Sequence, residues 1–197
     1  DYNRMKNAES ILSEQIEAGE RETEYLQSVL SEIDRAQTTG ELSDIREELV
    51  QSGYIRGTAG QNGKRKKALS LRVKPFCYKI SDGFTVYAGR NNRQNEELTL
   101  RTASHRDIWF HTQKIPGSHV ILVLENRPAT EKALQEAAMI AAVHSSAAQS
   151  GHVPVDYTEV RNVKKQPGGK CGMVIYKNFK TAIITPDAEK IEQWRKG

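Results

Sequence analysis

Asp107-Ile108-Trp109-Phe110-His111, followed four residues later by Pro116-Gly117-Ser118-His119-Val120-Ile121-Leu122, brings an acid, two aromatics and two histidines together around a Pro-Gly turn. Ile108 and Phe110 alternate with Asp107, Trp109 and His111, and residues 120–124 are an unbroken apolar run, so the pattern predicts two buried strands joined across the turn. The polar members admit two readings. Asp107 and His111 satisfy buried backbone groups at the strand ends, or they belong to a binding surface rimmed by Arg101, His105, Arg106, Lys114 and His119, cations that suit phosphate beside aromatics that suit bases.

Upstream of this centre, residues 75–80 and 84–87 flank Ser81-Asp82-Gly83, a hairpin signal because glycine adopts the positive φ that the turn needs. Residues 91–103 predict a short helix and residues 130–148 an alanine-rich one with Leu134, Ala138 and Ala141 on one face. Residues 153–160, 173–176 and 181–185 add strands. The expected fold is α+β, an N-terminal coiled-coil helix followed by a mostly antiparallel sheet packed with one long helix.

The coil is read from Met5, Leu12, Gly19, Leu26 and Ile33, seven apart, with Ala8, Gln15, Glu22 and Val29 three positions later. One seam is mostly apolar and the other only partly so. Such a helix is marginal alone, so a partner helix, either a preceding segment or a second copy, is expected over the seam; packing on its own domain is the alternative. Thr38-Thr39-Gly40-Glu41 has capping-box spacing and starts a second helix carrying Leu42, Ile45 and Leu49. The organisation expected is a helical unit over 1–53, a basic glycine-containing linker over 54–68 and an α+β domain over 69–197.

Charge divides along the same lines. The 197 residues carry a net charge of +4, yet residues 1–50 hold 13 acids against 5 bases, a net of −8, which leaves +12 for the remainder. Two acid-free stretches, 49–81 and 160–186, carry most of the excess, the second with Arg161, Lys164, Lys165, Lys170, Lys177 and Lys180. Blocks of this kind draw polyanions and release counterions on contact, making nucleic acid the leading partner class, with a solvated face as the alternative. In 161–170, paired Gly168 and Gly169 among lysines suggest a loop that grips phosphate, or a hairpin loop kept soluble by its lysines.

Other chemistries find little support. Cys77 and Cys171 are isolated and read as reduced thiols of a cytoplasmic protein. No apolar run reaches the length needed to cross a membrane, and none opens the chain as a signal segment. No nucleotide-binding or nucleophile motif is present, and the spacings of His105, His111 and His119 match no compact metal pattern, so neither catalysis, cofactor nor metal is expected. An acid-base pair of Asp107 and His111, four apart on one strand face, is the single catalytic arrangement worth testing.

The 107–111 and 116–120 motifs, with the 161–172 loop running into Val174-Ile175-Tyr176, resemble the NFACT-R domain. The preceding segments, residues 25–30 and 41–49, resemble the end of the middle coiled coil of the same family. The resemblance covers nearly the whole chain and implies part of a bacterial ribosome-associated quality-control factor. It implies binding to stalled large ribosomal subunits carrying peptidyl-tRNA, contact with tRNA and rRNA, and recruitment of alanyl-tRNA for untemplated alanine tailing. The elongation residues of that family lie in domains this chain does not contain, so a binding module and not an enzyme is expected. Arg106, Asp107, Trp109, His111, Ser118 and His119 are the candidate RNA-binding surface, with Arg161, Lys164, Lys165 and Lys170 on phosphates. One departure stands out: Cys171 replaces the proline expected after the glycine-rich lysine, which implies a looser loop. Family members were historically described as fibronectin-binding proteins, so an adhesion module for an extracellular matrix protein is the alternative.

Overall fold

The computed structural model describes residues 2–57 and 73–196; the linker expected over 54–68 therefore lies outside the described residues from 58 onward. A long helix, α1 (Tyr2–Arg35), and a shorter α2 (Thr39–Gln51) precede the hairpin β1 (Phe76–Lys79) and β2 (Thr85–Ala88). Then come α3 (Asn92–Glu97), β3 (Ile108–Thr112), β4 (Val120–Val123), α4 (Glu131–Val143) and β5 (Val153–Glu159). The chain continues through β6 (Val163–Lys165), β7 (Val174–Tyr176), β8 (Lys180–Ile184), α5 (Ala188–Glu192) and β9 (Arg195–Lys196).

Seven strands form one antiparallel sheet in the order β8-β5-β3-β4-β2-β1-β9, and β6 pairs with β7 separately. The opening motif thus lies at the sheet's centre, with Trp109 opposite Ile121 and Phe110 opposite Val120. Alternation sorts the strands into two faces. Phe110, Val120, Leu122, Val86 and Tyr78 point to one, where α4 covers them. Trp109 and Ile121 point to the other, beneath Leu98 and the β6–β7 hairpin. Phe110 and Trp109 are both fully buried, each stabilising the fold by roughly 2–3 kcal/mol.

Alanine lets α4 lie close to the sheet: Ala133, Ala137, Ala138, Ala141 and Ala142 are fully buried. Thr130 caps its start on the amide of Ala133, but the helix ends at His144 and not near 148. The reason is that the His144 carbonyl leaves the helical ladder and accepts from the Ser118 amide and from Arg35. The β1–β2 turn uses two left-handed residues, Asp82 (φ 58) as well as the expected Gly83 (φ 73). Buried Glu136 of α4 holds this turn through the amide and hydroxyl of Ser81. The helix expected over 91–103 is α3 capped by Asn91, followed by one wider turn over Leu98–Thr102.

The capping box is present as read, with Glu41 bonded to the Thr38 amide and Thr38 to the Glu41 amide. Along α1 the two readings of the coil divide the helix. Met5, Leu12 and Ile16 are well exposed, whereas Tyr25 and Val29 are buried with Ile45 of α2. The first-seam residues Leu26 and Ile33 stay partly exposed even there, because the buried stripe runs through Tyr25 and the second-seam residue Val29. Polar bonds lock the joint to the sheet domain. Tyr25 donates to Glu48, Asn92 donates to Glu48 and Ser28, and Arg35 donates to Ser118 and the His144 carbonyl.

Candidate nucleic-acid interface

β3 directs Trp109 and His111 to the face away from α4, and the 113–117 turn, with Lys114 at φ 54, returns the chain so that His119 enters beside them. The indole lies nearly parallel to the His111 ring (5.8 Å, 12°) and edge-on to His119 (5.3 Å, 87°). Tyr176 of β7 closes the cluster at 4.7 Å from Trp109, its hydroxyl donating to buried Asp156. His119 is fixed by its Nδ1, 2.8 Å from Thr99 Oγ1, and by its amide, which donates to Asn95 Oδ1.

Between this cluster and α1 lies a cleft of about 560 Å³, walled by Trp109, His111, His119 and Tyr176 and, across from them, by Gln27 and Ser28. Lys114 and Glu24 also border it, and both are exposed. Burial pushes His111 down to about 4 and His119 well below the usual imidazole range, so both rings are neutral near pH 7. Trp109 Nε1 is buried and has no hydrogen-bond partner among the described residues.

The candidate residues divide sharply. Asp107 is buried and accepts from the amides of Ser104 (2.8 Å) and Leu124 (2.9 Å), the backbone-satisfying role. Its carboxylate is thus not an exposed contact, and the acid-base pair with His111 does not form. Ser118 is equally buried, donating to the Gly89 carbonyl and accepting from Arg35. Trp109 and His119 are interior as well, so the expected surface of six residues is corrected: only Arg106 is fully exposed, and His111 is half-buried. The correction has one physical cause. Alternation shows that a residue leaves one face of a strand, not whether another layer covers the face it joins.

The 161–170 segment is a hairpin and not an open loop, with β6 inside it. Arg161 is exposed but pairs with Glu159 at 2.7 Å, and Lys164 is exposed. Lys165 bonds Glu96 at 2.9 Å, and the same carboxylate accepts from the Gly172 amide at 3.0 Å. A carboxylate of this chain thus already pairs with Lys165, one of the expected phosphate contacts. Lys170 lies half-buried over the Tyr54 ring. Beside them the Cys171 thiol is pushed up to about 12, chiefly by burial, with Glu48 and Glu96 nearby. Glu96, Arg35 and Asn95 organise the site although no local signal marked them; each acts on a partner at least 24 residues away.

Among the described residues no group of three or more His, Cys, Asp or Glu could hold a metal ion, and no helix is long and apolar enough to cross a membrane.

Comparison with known proteins places this geometry in context. The family described as the NFACT protein RNA binding domain matches residues 74–178, and that of the NFACT N-terminal and middle domains matches residues 1–68. Over 195 residues and 99% of its length the chain is 40% identical to Rqc2 homolog RqcH of Bacillus subtilis, and it is 39% identical over 196 residues to the protein of that name from Streptococcus pneumoniae. It spans 33% and 34% of those two proteins, about a third of each. Its fold superposes with TM-score 0.86 on the C-terminal part of the fibronectin/fibrinogen-binding protein of Streptococcus suis, at 35% identity, covering 99% of this chain and 76% of that one.

Proposed function

This chain belongs to the NFACT family and carries its RNA-binding domain over residues 74–178, and from that premise we propose that it is the RNA- and ribosome-binding part of a ribosome-associated quality-control factor. It acts as a binding module, not an enzyme. In this reading it engages stalled large subunits bearing peptidyl-tRNA, contacts tRNA and rRNA, and helps recruit alanyl-tRNA for untemplated alanine tailing. The exposed stretch of α1 docks on a partner helix, and the protein works in the cytoplasm.

The observation that carries the reading is the family match, and the distribution of free charge supports it. Arg106, Lys114 and Lys164 are exposed cations of the sheet domain, while α1 and α2 carry the acids. A polyanion is drawn to the first region and repelled from the second. Phosphate contacts of this kind give affinity without sequence choice.

The test is sedimentation of the chain with ribosomal subunits and transfer RNA across a salt series. Co-migration with free large subunits that weakens as salt rises is expected. In binding to purified RNA, changing Arg106, Lys114 and Lys164 together to alanine lowers affinity and flattens the dependence of log K on log salt by about 0.7–0.9 per lost contact. An unchanged slope sinks the charge assignment.

The name of the Streptococcus suis neighbour favours a second reading, adhesion to an extracellular matrix protein. Saturable binding of the chain to immobilised fibronectin, unaffected by competing RNA, would support it over the first.

A further inference from the structure

The cleft between α1 and the Trp109–His111–His119 wall differs chemically from the cationic rim around it. Its volume, about 560 Å³, lies in the range of small-molecule sites. Its wall is aromatic, with Tyr176 beside the Trp109–His111 stack. Ile115, Pro116 and Met173 add apolar surface, and Ser28, Asn92 and Asn95 add polar groups.

Three candidate occupants can be weighed by charge and hydrogen bonding. A phosphate is disfavoured inside, because both wall histidines are held neutral by burial and the cleft's cation, Lys114, stands exposed at its border. An aliphatic side chain fills the volume but offers no flat face to the partly exposed His111 and Tyr176 rings. A flat, uncharged heterocycle with donors and acceptors on its edge answers both needs. Its face lies against the partly exposed His111 and Tyr176 rings, and its edge faces α1 at Gln27 and Ser28.

We propose that this cleft receives one unstacked nucleobase of single-stranded RNA, while Lys114 at its border holds the adjoining phosphate. The proposal rests on the reading that this domain binds RNA, and it adds that the RNA is taken as a splayed single strand or loop, since a base paired in a helix cannot enter. Gln27 and Ser28 of α1 form one wall, so the helical unit takes part in recognition as well as the sheet domain.

The test compares two oligoribonucleotides of the same length and charge, one carrying bases throughout and one abasic throughout, each titrated by fluorescence anisotropy against the 197-residue chain. The intact strand is expected to bind roughly tenfold tighter, in line with stacking of a single base on an aromatic wall. Gln27→Leu, an exposed substitution at the mouth of the cleft, is expected to narrow that difference at least threefold. In a Trp194→Phe background Trp109 is the sole tryptophan, and its emission changes with the intact strand only. Equal affinity for both strands overturns the nucleobase site while leaving RNA binding intact, whereas binding to neither removes the reading on which the site depends.

Discussion

The β3–β4 motif and the β6–β7 hairpin are both rich in polar residues and use them in opposite ways. In the first, Asp107, Ser118 and His119 are buried and bonded to backbone and side-chain groups drawn from distant segments. In the second, Lys164 and Arg161 face solvent, and Lys165 reaches one carboxylate of α3. The difference teaches that polar residues of one domain can serve the interior in one hairpin and face solvent in the next. The buried motif builds a rigid, uncharged wall, and the exposed hairpin adds charge near it. Substitutions of the buried Asp107 and Ser118 should therefore act on stability, and substitutions of the exposed cations on binding.

Asp107→Ala is expected to give the largest effect and to strain this division hardest. It strips the acceptor from two backbone amides, those of Ser104 and Leu124, next to a strand end where Val160 also donates to the Asp107 carbonyl. Leaving the buried Leu124 amide unsatisfied, together with loss of the part-buried bond from Ser104, costs roughly 2–4 kcal/mol. Chemical denaturation should show a midpoint shift of that order. A variant as stable as the parent would mean that the carboxylate is not a structural strut, and that the motif is a surface after all.

Ser118→Ala comes next. Its hydroxyl joins the Gly89 carbonyl to Arg35 of α1, so the loss is shared between the sheet and the helical joint. Arg35 keeps its bond to the His144 carbonyl at 2.7 Å, which limits the cost to about 1–3 kcal/mol. Amide exchange should speed up in the last turns of α1 more than in β3 or β4. Uniform acceleration across the chain would show that the joint and the sheet unfold together.

These two residues also mark the limit of what the sequence could tell. The strands were legible because period-two alternation is a local property, and α4 was legible because a run of alanines with an apolar face is. The joint was not. Arg35 meets Ser118 across 83 positions, and Tyr25 meets Glu48 across 23, so nothing in a window of seven residues announces either. The heptad in α1 named Val29 in its second seam and left docking on the chain's own domain open as the alternative, but it did not include Tyr25, which is buried beside Val29 against Ile45. β9 escaped because two residues are too few to show a period; it exists through pairing of Cys77 with Lys196 and Tyr78 with Arg195. The candidate site shared this fate. Its aromatic and histidine members were found by type, but their burial depended on layers contributed by α1 and β7.

The smallest effect sharpens the comparison from the hairpin side. Burial acts to raise the Glu96 carboxyl, but hydrogen bonds from Lys165 and from the Gly172 amide outweigh it and hold the group below its ordinary value. A carboxyl lowered in the folded state contributes stability that is fully present above its unfolded pKa, near 4.3, and is lost as pH falls through the lower folded value. Because Lys165 is about half exposed, solvent screens the pair, and the contribution at neutral pH is less than about 1 kcal/mol. Thermal melts of the parent and of Glu96→Gln should therefore differ slightly at pH 7 and converge below pH 4, with faster exchange of the Gly172 amide in the variant at neutral pH. The same substitution releases Lys165 to solvent, so it should raise affinity for RNA while lowering stability. If affinity falls instead, the ion pair does more than hold the hairpin, and the docked position of β6–β7 is itself part of the interface.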